Sequence, residues 1–78
     1  MAHNRVPAEI HLGDRVKVFL DSAYWKSKGW FLGTVVRLDP YSSHRNFYWV
    51  ELDTEVEAAQ GGRTHLVSVL NPSRIEKA

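Results

Sequence analysis

"HRNFYWVELD", residues 44–53, is the stretch on which the reading of the fold turns. Along an extended strand, side chains alternate between the two faces. Tyr48, Val50 and Leu52 therefore share one face, and Phe47, Trp49 and Glu51 share the other. One set can line a core. The other carries two large rings, so the outer face of this strand needs its own explanation.

The segments around it read as strands too. "WFLGTVVRLD" (30–39) is rich in β-branched and aromatic residues, and Gly33 within it marks a bend or a close approach of backbones. Asp39-Pro40 ends that strand, and "PYSSHRN" (40–46) reads as a loop. Upstream, "GDRVKVFL" (13–20) alternates Val16 and Val18 with Arg15 and Lys17, the pattern of a half-buried strand. The lysine-rich "DSAYWKSKG" (21–29) reads as an exposed loop.

Downstream, "DTEVEAAQGG" (53–62) is ambiguous. Thr54 and Glu57 stand at capping-box spacing, so a short helical turn near residues 54–60 competes with an extended hairpin arm. "RTHLVSVL" (63–70) is a fourth strand, with His65, Val67 and Val69 opposed to Leu66, Ser68 and Leu70. Asn71-Pro72-Ser73 suits a tight turn, after which Ile75 enters the core. The expected core is Val16, Val18, Phe31, Val35, Tyr48, Val50, Leu52, Val67, Val69 and Ile75. The fold class is therefore all-β, a small five-stranded barrel, closed or partly open.

With 78 residues, 44% hydrophobic and 24% charged, the chain accommodates one globular domain. That domain is expected over residues 9–78, preceded by a flexible leader at 1–8. There is no cysteine, which removes disulfides, thiolate metal sites and thiol catalysis, and which leans to a cytoplasmic setting. No apolar run approaches the ~18–20 residues of a membrane span. The net charge of +1, with scattered cations, makes a nucleic-acid partner unexpected, because phosphate binding draws on a basic excess.

The succession "GDRVKV", "GWFLGTVVRL", "YWVELD" and "HLVSVLNPSRI" resembles the Src-homology-3-like barrel in its tudor-like and agenet-like versions, over residues 13–76. Length and the "GDRV" start are also similar to plasmid-borne type II dihydrofolate reductases, which are tetramers of tiny barrels around a central pore. In that family a lysine follows the G-D-R-V-x stretch, and a Val-Gln-Ile-Tyr run lines the pore. Here Val18 stands at the lysine's position, and Val67, Ser68, Val69 and Leu70 stand at the run. The resemblance implies the fold, while these departures imply that the reductase activity does not carry over. In size and style the chain also resembles the orphan barrels of bacterial mobile gene (integron) cassettes.

Catalytic and metal-binding patterns are weak. Ser42-Ser43-His44 lie adjacent with nothing to fix their geometry, and His65 opens an apolar run as a packed or partly exposed residue would. Neither a metal-binding histidine motif nor a phosphate-cradling glycine loop occurs, so no catalytic residue, metal or cofactor is expected. Glu51, Asp53, Glu55 and Glu57 alternate along one arm, as on a solvated edge.

The aromatics remain as candidates. Tyr24, Trp25 and Tyr41 are loop rings that either cap the barrel ends or form a cage for a cationic ligand. Phe47 and Trp49 lie mid-strand, and Trp30 opens strand two. Exposed aromatic surface of this size marks a contact. The expected function is a non-catalytic interaction module, a homo-oligomer (dimer or higher) associating through its outward aromatic face. A protein or small ligand is an alternative occupant of that face. A reductase-like pore enzyme and a nucleic-acid-binding barrel are the rival functions.

Overall fold

The computed structural model describes residues 9–43 and 45–78, so the leader expected at 1–8 and His44 lie outside the described residues. Five strands run in chain order: β1 (Arg15–Leu20), β2 (Gly29–Ser42), β3 (Arg45–Glu57), β4 (Arg63–Val69) and β5 (Ile75–Lys77). A single 3-10 turn, Pro72–Arg74, precedes β5. All five strands form one antiparallel sheet in the order β4-β3-β2-β1-β5. The two end strands do not pair with each other, so the sheet curls without closing. Of the two forms expected, closed or partly open, the sheet takes the open one.

One face of the sheet carries the core. Val16, Val18 and Leu20 of β1, Val35 of β2, Val50, Leu52 and Val56 of β3, Val67 and Val69 of β4, and Ile75 of β5 form one buried cluster. A lone sheet buries a face this completely only by curling until that face meets itself. At Gly33 β2 lies closely against β3. A Cβ there would lie 2.5 Å from the Glu51 carbonyl oxygen and 2.8 Å from Val50 Cγ1. The backbone approach expected from the sequence is present.

The register of β2 holds a second device. Val35 pairs with Val50 and Arg37 with Trp49, leaving Val36 as the extra residue of a β-bulge. Before the bulge Phe31, Gly33 and Val35 face inward; after it Leu38, opposite Tyr48, packs against the core. Phe31 and Tyr48, expected at the centre, are partly buried and lie against the cluster, while Leu20 and Val56 belong to it.

One local expectation changes, and one open alternative is decided. Residues 40–46 are not a seven-residue loop: Pro40 pairs with Asn46 and Ser42 with Arg45, so the strands run on almost to the hairpin tip. β1 pairs with β2 only as far as Thr34, so Pro40 lies where β2 has no neighbour on that side, which tolerates a missing N–H. Residues 54–60 form no helical turn. Val56 and Ala58 are buried on the inner face, and Val56 pairs with Thr64. The Glu57 N–H donates to Ser27 Oγ at 2.9 Å, and its carbonyl accepts from the Lys26 and Ser27 N–H groups. Burial and these long-range bonds outweigh a capping signal only one to two turns long. The chain reverses after Ala58 through Gly61, whose φ of 100° suits glycine.

Candidate interaction face

The outward face of β2, β3 and β4 gathers most of the sequence-selected residues. Its rows follow from the register: Thr34, Glu51 and Leu66 lie side by side, then Arg37, Trp49 and Ser68. The bulge turns Val36 outward beside Trp49. Leu32, Val36 and Leu66 are 49%, 45% and 46% exposed, and it is their presence on one face that makes them informative. Leu32 and Val36 alternate with Phe31 and Val35 of the expected core, which places them outward. Leu66 was legible as outward from its alternation with Val67, yet it carries no aromatic or charge signal that singles it out.

Trp49 sits at the centre of this face and is held there. Its indole Nε1 donates to Asp39 Oδ2 at 3.1 Å, and Arg37 Nε donates to the other carboxylate oxygen at 2.9 Å. The ring is therefore half-buried, not fully exposed. Phe47 is half-buried too, because Tyr41 packs edge-on against it with centroids 5.4 Å apart. The expectation of two bare rings is corrected: neighbouring side chains cover part of each. The strongly exposed rings are Tyr24, Trp30 and Tyr41.

Trp30 stacks at a tilt on Phe19, 5.0 Å between centroids, with Lys17 Nζ 5.0 Å from its ring. Tyr24 and Trp25 meet edge to face at 4.8 Å. Their loop is docked, since Ala59 N–H donates to the Tyr24 carbonyl at 2.7 Å. Lys28 Nζ also donates to the Ser22 and Trp25 carbonyls at 2.7 and 2.6 Å. Tyr24, Trp25 and Trp49 line one shallow groove with Leu66 and Ser68. Tyr41 is not part of that groove, so the three loop rings do not assemble into one cage.

Charges frame the face. Arg15 grips Asp53 with two nitrogens, at 2.9 and 2.5 Å, across the top of β2, and also donates to Thr34 Oγ1 at 3.0 Å. That guanidinium holds the Asp53 carboxyl below the ordinary carboxylate range, and the carboxylate in turn raises the Arg15 value. Asp14 is lowered as well, chiefly by the hydrogen bond from the His11 backbone N–H and then by Lys77. Glu55 pairs with Arg63 and Glu57 with Lys26. Glu51 is different: among the described residues it has no ion-pair partner, although it lies between Thr34 and Leu66.

The catalytic candidates do not converge. His65 Nδ1 donates to the Leu52 carbonyl at 3.0 Å, filling a gap left by the irregular β3–β4 pairing. Ser68 is exposed beside Trp49 and makes no bond with that histidine. His44 lies outside the described residues. Among the described residues no cluster of three or more histidine, aspartate or glutamate side chains is placed to hold a metal ion. No helix among them is long and apolar enough to cross a membrane. Comparison with protein-family models, with curated proteins and with solved structures finds no match.

Proposed function

We propose that this chain is a non-catalytic interaction module of Src-homology-3-like build that self-associates through the outward face of β2, β3 and β4. One observation carries this reading: Val36 and Leu66, each about half exposed, flank Trp49, and Leu32, exposed to the same degree, lies further along the same sheet face. Water contact with such a surface is unfavourable by roughly 25 cal/mol per Å², and covering it recovers that free energy. Trp49 is fixed by Asp39 before any partner arrives, so little side-chain entropy is lost on docking.

The sheet edge is a poorer alternative. Thr64 Oγ1 accepts the Leu66 N–H at 3.0 Å and lies 3.3 Å from the Leu66 carbonyl, so the middle of β4 offers fewer free backbone groups to an added strand. β5, at the other end, spans only three residues.

Amide and indole NMR shifts followed on dilution test the reading. Signals of Leu32, Val36, Trp49 and Leu66 are expected to move with concentration, while those of β5 stay fixed. Movement confined to β5 and the 3-10 turn would place the contact elsewhere.

A further inference from the structure

The face also contains charges that match a copy of itself. Glu51 is a carboxylate without an ion-pair partner among the described residues, set among Leu66, Thr34 and Trp49. Arg37, opposite Trp49 on β2, is highly exposed, and only its Nε is engaged, on Asp39. Its two terminal nitrogens make no hydrogen bond among the described residues. Both groups lie on the outward face, one residue pair apart along the strands. Trp49 lies between them on β3's side, paired with Arg37 and two residues before Glu51.

Covering this face with an apolar partner surface would strand the Glu51 carboxylate in a desolvated site, which is strongly unfavourable without a cation. A two-fold axis through the face solves this with groups already present. In such an isologous contact, residue i of one copy meets j of the other and j meets i, so a single match occurs twice. Resting on the self-association reading above, we propose that the partner is a second copy arranged antiparallel across Trp49. In this pair Glu51 of each copy receives the free guanidinium nitrogens of Arg37 from the other. Leu32, Val36 and Leu66 then pack around two charge-assisted pairs. Arg37 keeps its Nε bond to Asp39, so the network that fixes Trp49 survives in the pair.

The test is a charge exchange read by sedimentation equilibrium. Glu51→Arg alone sets Arg37 against the new arginine at both contacts, and Arg37→Glu alone sets the new glutamate against Glu51. Each variant is expected to self-associate at least about tenfold more weakly than the parent, which corresponds to ~1.4 kcal/mol. An equimolar mixture of the two restores both opposite-charge contacts and is expected to form heterodimers of near-parental strength. The double variant Glu51→Arg/Arg37→Glu on one chain should recover homodimers in the same way, and it guards against a fold defect in either single variant. Single variants that associate like the parent, or a parent that associates while neither the mixture nor the double variant recovers, would overturn this pairing but leave self-association standing. A parent that stays monomeric would remove the self-association reading itself.

Discussion

The indole of Trp49 donates to Asp39 Oδ2 at 3.1 Å, two strand positions beyond its own cross-strand partner Arg37. This one bond turns an outward tryptophan from a loose apolar side chain into a positioned one. It also links the ring to Arg37 through the second oxygen of the same carboxylate. Asp39→Ala is expected to cost about 1 kcal/mol in denaturant unfolding, the usual contribution of a partly exposed hydrogen bond. The Trp49 indole N–H should also exchange faster with solvent in the variant than in the parent, as read by NMR. An unchanged exchange rate would show that the ring is held by packing instead.

Gly33 marks the sharpest constraint in the sheet. Gly33→Ala puts a methyl within 2.5 Å of a backbone oxygen, which no side-chain rotation relieves. The expected loss is on the order of 1–3 kcal/mol, as for an overpacked core, with a matching fall in melting temperature. A variant as stable as the parent would mean that the β2–β3 crossing is wider than 2.5 Å allows.

Val50 is fully buried opposite Val35 and Val67. Val50→Ala should cost about 1–3 kcal/mol through lost burial and an unfilled cavity. Equal melting temperatures for variant and parent would mean that the two faces of β3 are exchanged.

Those inward positions were legible because β1, β3 and β4 keep strict alternation, and the hydrophobic period alone identifies Val16, Val18, Val50, Leu52, Val67 and Val69. The β2 bulge was not legible. Val35-Val36 are chemically alike, and only the pairing with Val50 and Trp49 decides which is the extra residue. The fate of residues 54–60 was equally hidden, because Ser27 and Lys26, some thirty residues earlier, hold Glu57 extended. For the face, outward direction could be read from alternation, but shielding could not. Asp39 and Tyr41 cover Trp49 and Phe47 only once the hairpin brings them alongside.

Acid should weaken the fold through Asp53 and Asp14. Both carboxyls titrate below the ordinary value of 3.8 in the fold, so the protein binds fewer protons than the unfolded chain near that value. Their contribution is fully present above about pH 4–5 and is lost as pH falls through the lowered folded values. Asp53→Asn should therefore lower the melting temperature near neutrality and flatten its fall between roughly pH 4 and pH 2, so that variant and parent converge in acid. A variant with the same acid slope as the parent would show that the Arg15–Asp53 pair does not persist in solution.

The exposed aliphatic side chains separate association from folding. Leu66→Ser removes apolar surface from the face without opening the core, so its melting temperature at low concentration should stay close to that of the parent. Its self-association should weaken about tenfold or more. Equal association by variant and parent would exclude Leu66 from the contact.

Sedimentation equilibrium of the unaltered chain tests the central claim most directly. A contact resting on one face of so small a domain should set in over roughly micromolar to millimolar concentrations. The weight-average mass is expected to rise from the 9.0 kDa of one chain towards twice that value and to stop there, as a closed two-fold pair requires. A mass that stays at 9.0 kDa throughout would contradict self-association through this face.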